Sequence, residues 1–188
     1  MYFNKYAPSS IDLQTGEHHD IPIIAWTVLT ALDMDAGDLE WVKEYCSDEL
    51  SMYSWNKSIV ATVDGKPIGA IISYPGDSYE SLRQYTWPKL WGDIDKETID
   101  KTEVEALPGE YYLDSRAILP EFRGFSIGKS LIEAAIEQGK SLGYNKFTLL
   151  VDCNKPKLKD YYAAMGFSET GDITFFGHQY KKMIRYDA

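Results

Sequence analysis

The sequence predicts a mixed α/β fold, a central mixed sheet flanked by helices. Three observations carry that prediction. Two apolar runs, Ile59–Val63 and Ile68–Tyr74, flank Asp64-Gly65, which is a strong hairpin-turn signal. From Glu110 onward, extended and helical patterns alternate as strand, loop, helix, strand, helix, strand. The chain has 188 residues, of which 44% are hydrophobic and 14% aromatic, so it holds enough apolar surface for one real core. A single domain over residues 1–188 is therefore expected.

The elements follow in order. A short strand is expected at Ser10–Leu13. A helix from about His19 to Leu32 places Ile23, Ile24, Thr27, Val28 and Ala31 at helical spacing. A second helix runs from Asp38, read as its cap, to Asp48, with Leu39, Val42, Tyr45 and Cys46 apolar. After the hairpin, Pro75-Gly76-Asp77 ends the strand. Residues 75–110 hold Tyr79, Tyr85, Trp87 and Trp91 among nine acids and four bases. Glu80–Leu90 has a helical pattern, which Pro88 shortens. A structureless stretch of this length is uncommon in a compact domain, so the segment reads as an insertion or lid. Its aromatics either line a ligand pocket or pack onto the body. The next strand is Tyr112–Leu119. The helix at about Ile127–Leu142 puts Ile127, Leu131, Ala134, Ala135 and Leu142 on one side, and Gly143 stops it. Phe147–Val151 is a short buried strand. Pro156 opens a helix that Gly166 ends. The last strands are expected at about Ser168–Thr170 and Tyr180–Tyr186.

Composition excludes several classes. The longest apolar runs, 21–28 and 68–74, fall well short of the about 20 residues that span a bilayer. The first eight residues lack a signal-peptide core. Cys46 and Cys153 form neither a metal spacing nor a disulfide framework, so both read as buried thiols of a cytoplasmic protein. His18-His19 has no ligand partner at metal spacing and reads as a cap-region pair, so no metal is expected. The net charge is −10, unevenly spread. Residues 1–110 carry 20 acidic and 8 basic side chains, and residues 111–188 carry 9 and 11. No basic stripe appears, which argues against nucleic acid. The acidic half would steer a cationic partner, or it is a solvated surface that keeps the protein soluble.

The chemistry is concentrated in Arg123-Gly124-Phe125-Ser126-Ile127-Gly128-Lys129. This loop leaves a strand and opens a helix. Unpaired N–H groups and the positive end of the helix dipole make such a junction an anion site. Its glycines are one residue too close for G-x-x-x-x-G-K-[ST], and the run is not G-x-G-x-x-G. It resembles motif A of the GNAT acetyltransferase superfamily, R/Q-x-x-G-x-G/A. Arg123 and Gly128 stand at its ends, and Ser126 at the usual middle glycine. Ile118-Leu119-Pro120-Glu121-Phe122-Arg123-Gly124 is similar to the family's V-x-P-E-[YF]-R-G. A serine amide still donates to a phosphate, provided that the position does not require a positive φ. The run Asn154–Phe167 looks like the family's second signature, with Tyr162, Gly166 and Phe167 in register. There the family's asparagine falls on Lys155, with Asn154 one residue early. The resemblance spans about Ile11 to Arg185.

The resemblance implies a GNAT-like fold with a splayed central sheet, acetyl-CoA as cosubstrate and a small-molecule amine as acceptor. Ile118, Arg123, Gly124, Phe125, Ser126, Gly128, Lys129 and Asn154 are the implied cofactor contacts, with a backbone N–H near Ile118 as oxyanion donor. Tyr162 takes the place of the family's acid tyrosine, or is a packing residue whose hydroxyl binds the sulfur. An alkylammonium has a pKa of about 10.4, so the acceptor must first lose a proton. Asp114 is the expected base, sharing a strand face with Tyr112 and Arg116. Glu110 is the alternative base, and an ion pair of Asp114 with Arg116 is the competing role. Acetylation of a protein or peptide, or acyl-CoA binding without catalysis, are the competing functions, and a homodimer is allowed for.

Overall fold

The computed structural model describes residues 10–92, 94–175 and 177–187. The leader-sequence expectation at residues 1–8 lies outside them. Seven strands form one mixed sheet in the order β1-β2-β3-β4-β5-β7-β6. By internal packing the chain gathers into two compact units, residues 1–73 with 115–135 and residues 74–114 with 136–188.

In the first unit, β1 (Asp12–Thr15) pairs antiparallel with β2 (Ser58–Val63), and β2 with β3 (Lys66–Pro75). The β2–β3 turn is the one read from Asp64-Gly65. Both residues have positive φ, 50° and 72°, which a tight primed hairpin turn demands. Between β1 and β2 lie α1 (Ile21–Ala31) and α2 (Leu39–Ser47). Of the expected apolar faces, Ile24, Thr27, Val28, Val42 and Cys46 are fully buried, whereas Ile23, Ala31, Leu39 and Tyr45 are only half-buried. Burial pushes the Cys46 thiol up to about 12, as for an inert core thiol. Asp38 precedes α2 but makes no side-chain cap, whereas Asp35 caps the short turn before it by accepting from the Gly37 amide. The end of β4 (Tyr111–Ile118) completes this unit's share of the sheet. There the Leu119 amide donates to the Ile68 carbonyl at 2.9 Å. A Cβ on Gly69 would sit 2.5 Å from the Ala117 carbonyl, so only glycine permits that approach.

In the second unit, β4 and β5 (Lys146–Asp152) pair in parallel at Tyr111↔Phe147 and Tyr112↔Thr148. β5 pairs antiparallel along its length with β7 (His178–Tyr186), and β7 with β6 (Ser168–Phe175). β6 is longer than the sequence suggested because a register shift near Gly171 absorbs the break and pairing resumes. Residues 75–110 are mostly helical. They form α3 (Tyr79–Leu90) and α4 (Lys96–Lys101), with Pro88 in the last turn of α3. Of the four aromatics singled out there, Tyr79 and Trp87 are core residues and pack, Tyr85 is half-buried and Trp91 is exposed. Arg83 donates to the Thr102 carbonyl at 3.2 Å, and Glu103 accepts from the Thr174 amide of β6 at 2.8 Å.

α5 (Ile127–Ser141) buries Ile127, Leu131 and Ala135 as expected. Leu142 does not join that face. It is 59% exposed, because the helix has ended and Gly143 turns the chain at φ 91°. Cys153 is likewise exposed rather than buried, since it lies in the turn between β5 and α6 (Pro156–Ala163). No helix among the described residues is long and apolar enough to cross a membrane.

Candidate functional site

The anion loop of the first unit is built by local chemistry. Pro120–Phe122 form a short turn after β4. The Arg123 amide closes it on the Pro120 carbonyl at 3.3 Å, and Arg123 Nε donates to the Ile118 carbonyl at 3.0 Å. The guanidinium thus clasps the loop to the end of its strand. The Ser126 carbonyl accepts from the Lys129 and Ser130 amides, at 3.0 and 3.1 Å, so α5 starts there. Ile127 and Gly128 occupy the first two helix positions, where an α-helix supplies no carbonyl for their N–H groups. Ile127 is 1% exposed and anchors the helix end, while Gly124, Ser126 and Lys129 lie on the surface. The amides of Arg123 and Lys129 are committed to the turn, so the N–H groups of Ile127 and Gly128 at the helix start are the ones that could hold an anion.

Two residues of this loop have positive φ, Gly124 at 95° and Ser126 at 62°. Ser126 therefore does sit where the backbone favours glycine. A left-handed conformation costs an L-residue about 1–2 kcal/mol. The chain tolerates it because the turn into α5 is fixed on both sides.

The second unit holds a cluster of two carboxylates and three buried tyrosines. Asp114, on β4, accepts a hydrogen bond at Oδ2 from the hydroxyl of Tyr74. Glu105, in the loop before β4, accepts from Tyr79 at Oε1 (2.8 Å) and from Tyr112 at Oε2 (2.5 Å). The Tyr112 ring meets those of Tyr74 and Tyr79 edge-on, at centroid distances of 5.8 and 6.2 Å. Burial first, and then nearby carboxylate charge, raises the pKa of all three tyrosines, so their hydroxyls stay protonated as donors. Burial first, and then the charge of Asp114, push the Glu105 carboxyl up to about 7. The Arg83 guanidinium lies 5.6 Å from the Tyr79 ring centroid. Sequence reasoning named Asp114 and Tyr112 but missed Glu105, Tyr74 and Tyr79 as its companions. Nothing local marks Glu105 among the other acids of its segment.

Glu110, the alternative base, is otherwise engaged. Its buried carboxylate meets Lys182 Nζ at 2.7 Å and Lys146 Nζ at 3.0 Å, and accepts from Thr148 Oγ1 and the Leu107 amide. Burial alone would raise its pKa, but Lys182, the Leu107 amide and Lys146 hold it below the ordinary value. A carboxylate so saturated is a poor proton acceptor.

Tyr162 lies on α6 and is 8% exposed, against Phe167 and Tyr161 at 5.8 and 5.4 Å between centroids. Tyr161 is the more exposed of the two, because the helix turns Tyr162 inward toward Phe167. Gly166, at φ 88°, lets the Phe167 amide return to the Tyr162 carbonyl at 3.1 Å. Asn154 is exposed, its amide held by Asp152 Oδ1 at 2.8 Å.

The model of the acetyltransferase (GNAT) family matches residues 26–167. No curated protein matches the chain in sequence. Among solved structures, an acetyltransferase superposes with a TM-score of 0.72 at 24% identity, over 93% of this chain and 98% of that one. An N-acetyltransferase from Staphylococcus aureus Mu50 gives 0.76 at 23% identity, over 92% and 99%. PaiA N-acetyltransferase from Thermoplasma acidophilum, solved in complex with coenzyme A, gives 0.58 at 16%, over 95% and 99%. At these identities the likeness is one of fold.

Proposed function

The chain belongs to the acetyltransferase (GNAT) family, and from that membership we propose that it moves an acetyl group from acetyl-CoA to the primary amine of a small, cationic metabolite, by direct attack in a ternary complex. The acetyl-CoA dependence comes with the family; the acceptor class and the mechanism are the proposal. The observation that carries it is the loop at 124–128, with two positive-φ residues and the opening amides of α5 suited to a pyrophosphate.

Asp114 takes a proton from the acceptor ammonium, leaving a neutral amine. The nitrogen lone pair then forms a bond to the thioester carbon, and the carbonyl electrons move to oxygen. A backbone N–H near Ile118 is assigned to that oxyanion. As the carbonyl re-forms, the carbon–sulfur bond breaks and the CoA thiolate leaves, taking a proton from the Tyr162 hydroxyl. The nitrogen releases its second proton as the amide forms, and solvent returns one proton to the Tyr162 phenolate and removes the one held by Asp114, so that one proton is released per turnover. Much of the remaining advantage comes from holding both substrates in line. The acidic balance of residues 1–110 supports a cationic acceptor.

The test is radiolabelled acetyl-CoA with a library of small amines and amino-terminal peptides. Transfer to cationic small amines, lost with CoA binding in Gly128→Asp, is the expected result. Preferred transfer to peptides or to anionic amines rejects the acceptor class. Equal CoA affinity of wild type and G128D by calorimetry rejects the loop.

A further inference from the structure

Asp20 ends the short turn His18–Asp20 that leads into α1, and it is 0% exposed. An aspartate just before a helix ordinarily caps it, but Asp20 makes no side-chain cap on α1. Its Oδ2 is turned back along the chain, accepting from the Glu17 amide at 3.1 Å and from Gln14 Nε2 of β1 at 3.4 Å. Its Oδ1 is buried and has no hydrogen-bond partner. The His19 imidazole faces that oxygen, with Nε2 3.6 Å away, beyond hydrogen-bond length, and Nδ1 3.4 Å from Glu17 Oε2. Asp20 and His19 line an open cleft of about 370 Å³ together with Pro22 and Ile23 of α1 and Pro67 of β3. A carboxylate oxygen buried without a donor is costly, and it calls for a partner that the chain itself does not supply.

We infer that this cleft, in the first unit, binds the ammonium group of a small organic amine on Asp20 Oδ1, with the amine's carbon chain against Pro22, Ile23 and Pro67. An ammonium brings three donors and a positive charge to an oxygen that lacks both, and such charge-assisted hydrogen bonds are the strong ones. The remaining wall is apolar, which suits a hydrocarbon body. Among the described residues no set of His, Cys, Asp and Glu is arranged to hold a metal ion, and no lysine or arginine pairs with Asp20. His19 is the gate. Its side chain is 67% exposed, so it leaves Asp20 with little loss of packing. When protonated, the imidazole bridges Asp20 and Glu17 and occupies the place of the ligand's charge. When neutral, it gives way. The charged groups facing His19 are Glu17 and Asp20. Gln14 from β1, Pro22 and Ile23 from α1, and Pro67 from β3 carry no charge, and His18 is turned to the Trp55 ring, 6.5 Å away. Amine affinity therefore rises with pH across the range where an imidazole titrates.

The test is an amide NMR titration of the full chain with butylammonium chloride, and with butanol as its uncharged counterpart, at pH 6 and 8 and constant salt. It uses no acetyl-CoA, so its failure leaves the proposed acetyl transfer untouched. Saturable shifts at Asp20 and Ile23, tighter at pH 8 and absent with butanol, are expected. Asp20→Asn keeps an acceptor for the Glu17 amide but removes the charge, and should weaken binding about tenfold or more. His19→Gln should keep binding at pH 8 and abolish the difference between the two pH values. Butanol binding as tightly as the amine, amine shifts that never saturate, or shifts that survive D20N at full strength overturn the inference. If D20N fails to fold, the His19 variant still decides, because a pH difference that persists in H19Q means that the amine does not compete for Asp20. Where binding is seen, acetyl transfer by wild type and D20N tells whose ammonium the cleft holds. A raised KM at unchanged kcat places the acceptor's cationic group there, an unchanged KM makes it a second amine site, and either result upholds the cleft.

Discussion

Lys182 on β7 places its ammonium 2.7 Å from the carboxylate of Glu110, 72 residues earlier in the chain. Both residues are buried, at 9% and 2% exposure. Lys146 on β5 holds the other oxygen. Three chain segments of the second unit are thus fastened by one carboxylate at the start of β4. A charge set of this kind is costly to assemble and more costly to break, because Lys182 would stay buried and uncompensated.

Glu110→Gln should therefore destabilise the protein by about 3–5 kcal/mol, the usual range when one partner of a buried pair is removed. Urea unfolding would show the midpoint falling. Turnover per folded molecule, measured at low temperature, should stay within a few-fold of wild type. A turnover loss of a hundredfold in well-folded E110Q would return Glu110 to candidacy as the base.

Ser126→Gly should stabilise the chain. The left-handed backbone costs the serine about 1–2 kcal/mol. Glycine removes that strain but loses about 0.5–1 kcal/mol through its greater freedom when unfolded. A net gain of about 0.5–1 kcal/mol is expected, seen as a higher urea midpoint at unchanged slope. CoA affinity should be unchanged, since the loop donates through backbone amides. A destabilised S126G would mean that the serine hydroxyl makes an interaction worth more than the strain.

Tyr162→Phe keeps the ring against Phe167 and removes only the hydroxyl. If that hydroxyl protonates the leaving thiolate, kcat should fall by about 10²–10⁴, while calorimetry shows CoA binding little changed. An unchanged single-turnover rate would assign Tyr162 to packing.

Glu105 and Glu110 should give opposite pH dependences. The native pKa of Glu110 is lowered, so its contribution is present above the ordinary carboxylate range and is lost as pH falls through the native value. The native pKa of Glu105 is raised, to about 7. The folded state then binds more protons than the unfolded one between the ordinary carboxylate range and about 7, and stability falls as pH rises through that window. Urea midpoints at pH 5 and 8 should show E105Q losing less stability across this interval than wild type. Equal losses in the two proteins would mean that Glu105 keeps its ordinary proton affinity.

The sequence by itself determined the loop and the order of elements around it. Arg123 to Lys129 are contiguous, and a glycine turn before a helix acts through its own backbone, so its chemistry is visible without a partner. The hairpin at Asp64-Gly65 was legible for the same reason. The position of Ser126 was visible too, but its φ of 62° was not, because the bounding turn and the start of α5 impose that angle. The tertiary structure alone decided which acid does what. Glu105, Glu110 and Asp114 lie within ten residues and look alike on paper. Sheet order brings Lys182 and Lys146 to Glu110, while the folding of α3 brings Tyr79 to Glu105, and Tyr74 reaches Asp114 from 40 residues away. A carboxylate's proton affinity is set by burial and by the charges and donors within a few ångströms. Those neighbours come from strands and helices distant in sequence, so no local pattern could have separated the three.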